Sequence, residues 1–201
     1  MRHIVSLAAA LVLAAPVAAQ AADGPWTLHF GAHVVDPAST TGEIAGMRSS
    51  VSKGTRPTLS VEYRFAPGWT VEALAALPFQ HEVRLAGSRA VSVKQLPPVL
   101  GVNYHFMEGA RVSPFVGAGV NYTWFFDANG RNALQGTRVD VGNSWGAAGH
   151  AGVDIHLDER WTFTVDARYI DLDAKVKVNG ARVGTVHVDP WVYGASFGYR
   201  L

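Results

Sequence analysis

The 201-residue sequence contains no cysteine, so disulfide bonds are excluded as a source of stability. Beyond residue 21 it also lacks any apolar run approaching the roughly 18 residues that a membrane-spanning helix needs. Charged residues make up only 16% of the chain and the formal net charge is +1. We therefore expect no nucleic-acid partner. The fold must be held by burial and backbone hydrogen bonds.

The N-terminus has the pattern of an export sequence. Arg2 and His3 supply basic residues, and an almost wholly apolar stretch runs from Ile4 to Ala15. Ala19-Gln20-Ala21 then matches the small-x-small pattern of a signal-peptidase site. We predict a signal peptide at residues 1–21, cleaved after Ala21, and a single domain at residues 22–201.

Hydrophobic residues are abundant, at 48% of the chain, and they alternate with polar residues at period two. The last segment shows the pattern: Trp191, Tyr193, Ala195, Phe197, Tyr199 and Leu201 alternate with residues such as Ser196 and Arg200. Such alternation over segments near ten residues is typical of transmembrane β-strands. It occurs eight times, over about 26–34, 58–65, 69–77, 96–106, 116–124, 144–156, 161–169 and 191–201.

The connections between these segments alternate in length. Three are short, near 66–68, 107–111 and 158–160, and four are long and polar, at about 36–57, 79–95, 127–143 and 173–187. This alternation is expected when one end of a barrel faces the periplasm and the other the exterior. We predict an all-β fold, an eight-stranded antiparallel transmembrane β-barrel with short periplasmic turns and long extracellular loops.

A soluble lipocalin-like barrel or β-sandwich would also alternate, but its apolar face would point inward. Here large aromatic residues cluster near strand ends on the apolar face, with small aliphatic residues between them, as membrane interfaces favour. On the short-turn side these are Trp26, Phe65, Trp69, Phe106, Trp161 and Tyr199; toward the loops they are Phe126, Trp145, Tyr169 and Trp191.

The polar face is then the interior, and it carries both signs of charge. An eight-stranded barrel is only wide enough for side chains to fill, and buried charges must be paired. We predict a plug of ion pairs, lying largely in the periplasmic half, that blocks passage to the periplasm. Its expected members are Glu62, Arg64, Glu72, Asp154, Asp166, Arg168 and Arg200, among the lumen residues His29, His33, His105, His150 and His156.

Metal binding and catalysis are weakly indicated. His150, Asp154 and His156 share a strand face, but their spacing along the strand spreads them too far for converging ligands. Serine, histidine and aspartate are present without a nucleophile elbow or a phosphate-binding loop. We expect no metal, no cofactor and no enzymatic activity.

Several short motifs resemble one family. They are Leu77-Pro78-Phe79-Gln80-His81, Gln95-Leu96-Pro97-Pro98, the segment from Pro114 to Tyr122, Phe125-Phe126-Asp127, the segment from Ser144 to Asp154, Val188-Asp189-Pro190-Trp191-Val192 and Gly198-Tyr199-Arg200-Leu201. Together they are similar to the outer membrane protein W (OmpW) family over essentially the whole mature chain. The resemblance implies a narrow hydrophobic channel that passes small hydrophobic molecules and releases them sideways through the barrel wall. Leu201 departs from the terminal phenylalanine usual for assembly, and the first and third loops differ.

Prolines offer a physical reason for a lateral exit. Pro78, Pro97 and Pro98 cannot donate to a strand ladder, so pairing should weaken where strands three and four meet their loop. The alternative is that these prolines simply end the strands. The residues expected to form a hydrophobic channel or lateral gate are Leu77, Pro78, Phe79, Leu96, Pro97, Pro98, Val99, Trp124 and Phe125.

These patterns predict passive uptake of small hydrophobic molecules. A narrow ion-conducting pore and a structural or surface-interaction barrel without transport are the alternatives. The expected partners are membrane lipids, small hydrophobic solutes and, during insertion, the barrel-assembly machinery. Arg48, Lys53 and Arg56 of the first loop could meet lipopolysaccharide phosphates, although exposed basic residues are usually just solvated.

Overall fold

The computed structural model describes residues 24–38, 42–44 and 46–201, which form fifteen β-strands and one short 3-10 helix, Asn132–Leu134. The predicted signal peptide, residues 1–21, lies outside this part of the chain. No helix among the described residues is long and apolar enough to cross a membrane. The strands are β1 (Trp26–Asp36), β2 (Glu43–Ile44), β3 (Met47–Val51), β4 (Gly54–Ala66), β5 (Trp69–Ala76), β6 (Phe79–Leu85), β7 (Ser88–Leu96), β8 (Val99–His105), β9 (Val112–Gly130), β10 (Val139–Val141), β11 (Ser144–His156), β12 (Trp161–Ile170), β13 (Asp173–Val178), β14 (Ala181–His187) and β15 (Trp191–Arg200).

Eight of these strands close into an antiparallel barrel. Each pairs with the next in the order β1, β4, β5, β8, β9, β11, β12, β15. The ring closes where β15 pairs with β1, from Thr27 opposite Arg200 to Asp36 opposite Trp191. Closure pairs both edges of every barrel strand. The predicted eight-stranded antiparallel barrel is confirmed.

The two ends of the barrel differ as the connection lengths predict. At one end the connections are short, near residues 67–68, 106–111 and 157–160. At the other end, the four predicted loops contain the seven remaining strands. These strands pair in the order β10, β13, β14, β2, β3, β6, β7, and β7 pairs with the upper part of β9. The long connections are therefore a β-sheet extension of the barrel, called the extension below.

The outer surface carries aromatic pairs at both ends of the barrel. Five of the six tryptophans stand directly opposite a tyrosine on the neighbouring strand, with ring centroids 4.6–5.5 Å apart. Such cross-strand pairs stabilise a sheet and place amphipathic rings at the two expected interfaces. The pairs are Trp26–Tyr63, Trp69–Tyr104 and Trp161–Tyr199 on the short-turn side and Trp145–Tyr122 and Trp191–Tyr169 toward the extension.

The belt between the two girdles is not purely aliphatic. Phe30 and Phe163 both stand opposite Phe197, with ring centroids 6.1 Å and 5.1 Å away. These phenylalanines lack a polar group, so they suit the apolar middle of a bilayer as well as aliphatic side chains do. The prediction of small aliphatic residues there therefore holds only in part.

Candidate functional site: the lumen of the barrel

Five charged or titratable side chains form a network across the middle of the lumen, and we call it the central layer: His33, Glu72, His150, Asp166 and Arg168. Nη2 of Arg168 donates to both carboxylate oxygens of Glu72 at 2.7 Å. Nε2 of His33 and Nε2 of His150 lie 2.9 Å and 3.1 Å from the two oxygens of Asp166. All five residues are buried. Their pairing offsets the cost of placing charges away from water.

Neutral side chains complete the central layer. The amide of Asn103 donates to Glu72 at 3.2 Å, and its oxygen lies 3.1 Å from Nδ1 of His150. Nδ1 of His33 lies 2.7 Å from the hydroxyl of Thr58. Nε of Arg168, 3.7 Å from Asp166, is the one buried side-chain nitrogen in the described part of the chain without a hydrogen bond. The other buried side-chain nitrogen and oxygen atoms of the layer have hydrogen-bond partners.

A second network, the lower layer, lies closer to the short turns and contains His29, Glu62, His105 and Asp154. Nδ1 of His105 lies 3.1 Å from Asp154, and Nε2 of His105 lies 3.4 Å from Glu62. His29 lies 3.8 Å from the other oxygen of Glu62. The hydroxyl of Thr164 donates to Asp154 at 2.6 Å. Histidines thus bridge the carboxylates in both layers.

Phe115 separates the two layers. Its ring centroid lies 5.1 Å from that of His105 and 4.8 Å from that of His150. The space left around these groups is about 20 Å³, room for roughly one water molecule. The described side chains therefore close the lumen at this height.

Interior glycines make room for the large polar side chains. A Cβ at Gly194 would lie 2.8 Å from the ring of His33, and one at Gly198 would lie 2.7 Å from the ring of His29. A Cβ at Gly117 would lie 2.0 Å from the side-chain oxygen of Asn103. Because an eight-stranded barrel is narrow, these three side chains fit only because a glycine lies beside each of them.

Below the lower layer, a cavity of about 450 Å³ extends to the short turns. Arg64 and Arg200, two of the residues expected in the plug, line this cavity. Arg64 donates to Glu108 at 2.7 Å, and the backbone N–H of Gly68 donates to the same carboxylate. The hydrogen bond from Arg64 lowers the pKa of Glu108. The structure thus brings Glu62, Glu72, Asp154, Asp166 and Arg168 into the two layers and leaves Arg64 and Arg200 beneath them.

Above the central layer the interior becomes apolar. Three residues of the expected channel, Phe79, Val99 and Phe125, point inward, and each is at most 9% exposed. They pack in one cluster with apolar side chains from the inner face of the extension. That cluster includes Val35, Val83, Leu85, Val91, Val93, Leu172, Val176, Val186 and Val192.

One polar group, His81, is enclosed beside this cluster. Its Nδ1 donates to the carbonyl of Ser52 at 2.6 Å, and its Nε2 accepts from the amide of Gln95 at 3.2 Å. One nitrogen donates and the other accepts, which is the arrangement of a neutral imidazole. Burial lowers the pKa of His81.

The strand ladder is interrupted where the expected gate residues lie. β5 and β8 pair as far as Leu74 opposite Val99, and β6 and β7 resume pairing at Phe79 opposite Gln95. Between these two points, each segment bonds to its other neighbouring strand. The backbone N–H of Leu77 donates to the carbonyl of Pro57 on β4, and that of Tyr122 on β9 donates to the carbonyl of Pro98. Residues 75–78 and 96–98 thus face each other without pairing, and we call this interval the gap.

The remaining gate residues surround the gap. Leu77 is 60% exposed and Trp124 is 39% exposed, both on the outer surface. Pro78 is exposed, whereas Leu96, Pro97 and Pro98 are half-buried. Apolar side chains therefore lie on both the inner and the outer side of the gap.

His150, Asp154 and His156 do not converge. His150 belongs to the central layer and Asp154 to the lower layer, while His156 lies 3.0 Å from Thr162. Among the described residues, a group with metal-ligand spacing occurs at Asp173, His187 and Asp189, whose ligand atoms lie within 4.8 Å of one another. Asp173 and His187 are exposed and Asp189 is half-buried; an ion pair between Asp173 and His187 and a hydrogen bond from the backbone N–H of Leu172 to Asp189 account for the arrangement.

Two features of the lumen were missed by the sequence analysis. Phe115 is separated by two and four residues from Gly117 and Gly119, which face the lumen. Alternation at period two could therefore have predicted that Phe115 also faces the lumen. The apolar interior of the extension could have been found from the alternation of buried residues in 79–85 and 173–178. Both sequence patterns are short and lie next to polar residues, which is why the sequence analysis missed them.

Comparison with known proteins agrees with this architecture. The model of the OmpW family matches residues 22–201. Outer membrane protein W of Escherichia coli is 36% identical, covering 89% of each chain. The crystal structure of OprG from Pseudomonas aeruginosa superposes with a TM-score of 0.77 at 35% identity, covering 88% of this chain and 95% of that one.

A further relative is the dibenzothiophene metabolism operon protein PahQ of Pseudomonas aeruginosa, 30% identical over 81% of this chain and 80% of that protein. The family match spans the barrel and the extension together. The relatives named outer membrane protein W come from Gram-negative bacteria. The chain therefore belongs to the OmpW family of outer membrane β-barrels of Gram-negative bacteria.

Proposed function

We propose that this barrel takes up small hydrophobic molecules passively from the exterior and releases them sideways into the outer membrane. One observation carries the proposal: an apolar interior lies directly above a closed polar layer. A hydrophobic solute gains about 0.8 kcal/mol for each CH₂ that leaves water. It would then have to separate buried ion pairs to continue toward the periplasm.

The gap between β5 and β8 supports the lateral exit. It lies at the level of Phe79 and Val99, which line the apolar interior, and Leu77 stands on its outer side. A solute could pass between these apolar side chains without breaking a backbone hydrogen bond. The name of the relative PahQ also refers to the metabolism of an aromatic, apolar compound, the solute class proposed here.

The test measures uptake of n-octane by cells that depend on this barrel for entry. Leu77→Asp places a charge at the outer side of the gap. Because Leu77 is exposed, we expect the barrel to fold with this substitution. We expect uptake to fall several-fold, because an apolar solute that passes the gap must displace water from the carboxylate, which is costly. Met47→Asp is the matched control, since Met47 is an exposed apolar residue of the extension away from the gap.

Two other results would replace the proposal. If wild-type barrels in planar bilayers conduct ions freely while deletion leaves octane uptake unchanged, the protein is a narrow aqueous pore. If neither conduction nor uptake depends on the barrel, it is a structural or surface-interaction barrel. Equal effects of Leu77→Asp and Met47→Asp on uptake would argue against the lateral exit.

A further inference from the structure

Two hairpins of the extension have the same construction. Residues 84–89 have the sequence RLAGSR and residues 177–182 have the sequence KVNGAR. In both, the two turn residues have positive φ, at 47° and 82° in the first hairpin and 50° and 84° in the second. Such two-residue turns fix the register of the strands that they join. Each turn therefore sets the two flanking basic residues against each other.

The register places cations directly opposite cations. Arg84 faces Arg89 across β6 and β7, and Lys177 faces Arg182 across β13 and β14. Directly opposed residues have Cβ atoms about 4.5–5.5 Å apart, and like charges there are destabilising. Arg89 is balanced by Glu82 at 2.9 Å. No ion pair balances Lys177 or Arg182 among the described residues.

The surroundings of Lys177 and Arg182 increase the positive charge. Lys175 lies two residues before Lys177 and on the same face, also without an ion pair in the described part of the chain. Two nearby carboxylates are already paired: Asp140, opposite Lys177 on β10, pairs with Arg138 at 3.1 Å, and Asp173, two residues before Lys175, pairs with His187. The outer face of the β13–β14 hairpin thus holds excess positive charge, and an external anion would relieve the repulsion.

Two lysines on other long connections are already paired. Lys53 lies 2.6 Å from Asp36, and Lys94 lies 3.0 Å from Asp127. Arg56, like Lys53 a candidate of the first loop, donates to the carbonyl of Pro78. Among the described residues, Arg48 and Arg56 of the first connection and Arg84 of the second also lack an ion pair, but the β13–β14 hairpin carries three such cations on one face.

The direction in which this face points, and its distance above the membrane interface, indicate which molecules it contacts. Ala174 and Val176 are buried in the apolar cluster, so Lys175 and Lys177 on the opposite face point sideways, away from the barrel axis. Lys177 lies eight residues beyond Tyr169 of the aromatic girdle, which places it on the order of 20 Å above the interface. In an outer membrane, the core saccharides of neighbouring lipopolysaccharide molecules occupy that height.

We propose that the outer face of the β13–β14 hairpin, with Lys175, Lys177 and Arg182, binds phosphate groups on the core saccharide of neighbouring lipopolysaccharide. Ammonium and guanidinium groups form charge-assisted hydrogen bonds with phosphate oxygens. Bound phosphates would also neutralise the opposed cations and hold the hairpin against the saccharide layer. This interaction is independent of what passes through the lumen.

The test titrates the barrel in phosphatidylcholine nanodiscs with soluble core oligosaccharide that retains its phosphates. We expect Lys177→Gln/Arg182→Gln to bind about tenfold more weakly than wild type, because two charge-assisted contacts are lost. Lys53→Gln/Lys94→Gln removes the same charge from residues that are already paired and should bind like wild type. The difference in gel migration between unheated and heated samples verifies that every variant folds.

Three results would overturn the proposal. The first is equal weakening by both double variants, which would indicate a general charge effect. The second is unchanged binding after the phosphates of the oligosaccharide have been removed. The third is complete competition by inorganic phosphate at the same phosphorus concentration, which would indicate a site for free phosphate.

Discussion

Arg168 on β12 donates to both carboxylate oxygens of Glu72 on β5 at 2.7 Å, although 96 residues separate them in sequence. The contact spans the lumen, because β5 and β12 lie on opposite sides of the barrel in the strand order. It ties the two walls together and closes the space between them.

Removal of Arg168 should destabilise the barrel strongly. Arg168→Met leaves Glu72 buried without its cation, and losing one partner of a buried pair costs roughly 3–5 kcal/mol. The double variant Arg168→Met/Glu72→Leu removes both charges and should recover most of that loss. Urea unfolding in lipid vesicles, followed by tryptophan fluorescence, measures both. A single variant as stable as wild type would show that the pair contributes little.

Phe115 should control ion leakage through the lumen. Phe115→Ala removes the ring between His105 and His150 and opens space between two charged layers. We expect ion conductance in planar bilayers to rise well above that of wild type. Phe163→Ala removes the same ring from the outer surface, where it contacts Phe197, and conductance should stay low. Conductance that is equally low in both variants would mean that the ion-pair layers alone close the lumen.

Interior glycines should tolerate no side chain. A Cβ at Gly194 would lie 2.2 Å from the carbonyl oxygen of Ala32 and 2.8 Å from His33, so Gly194→Ala should cost at least about 1–3 kcal/mol. Gly149 has no atom within 4 Å of an added Cβ, and Gly149→Ala should fold like wild type. The folded fraction after refolding into vesicles gives the comparison. Equal yields would show that β15 can shift away from β1.

Acidification should loosen the β6–β7 hairpin through His81. Burial lowers the pKa of His81 in the folded state from its ordinary value of 6.5, so the unfolded state binds more protons just below that pH. The stabilisation is complete above about pH 6.5 and is lost as the pH falls through the lowered value. Hydrogen exchange of residues 79–96, corrected for intrinsic rates, should therefore accelerate in acid.

His81→Phe provides the control for this pH effect. Phenylalanine does not titrate and fills a similar volume beside Phe79, whose ring lies 6.0 Å from that of His81. In this variant, exchange of the hairpin corrected for intrinsic rates should no longer depend on pH between about 7.5 and 5.5. Persistence of the acid effect would assign it to another group.

The sequence placed the eight barrel strands well because membrane strands have a strict alternation. A charged residue that changed face would be exposed to lipid. The extension escaped the sequence analysis, since 79–95 and 173–187 are short, polar on one face and bounded by turn residues. Their inner residues, such as Val83 and Val176, become a core only when four separate connections meet.

The same distinction applies to the lumen. Period two alone determined which residues face inward, including Glu72, Asp166 and Arg168, and proline chemistry located the interval around Pro97 where pairing stops. Only the tertiary structure decided that Arg168 pairs with Glu72, that histidines bridge the carboxylates, and that Arg64 and Arg200 lie beneath the network. Alternation fixes the face of a residue, whereas its partner across the lumen depends on strand register and barrel closure, which bring together residues far apart in the chain.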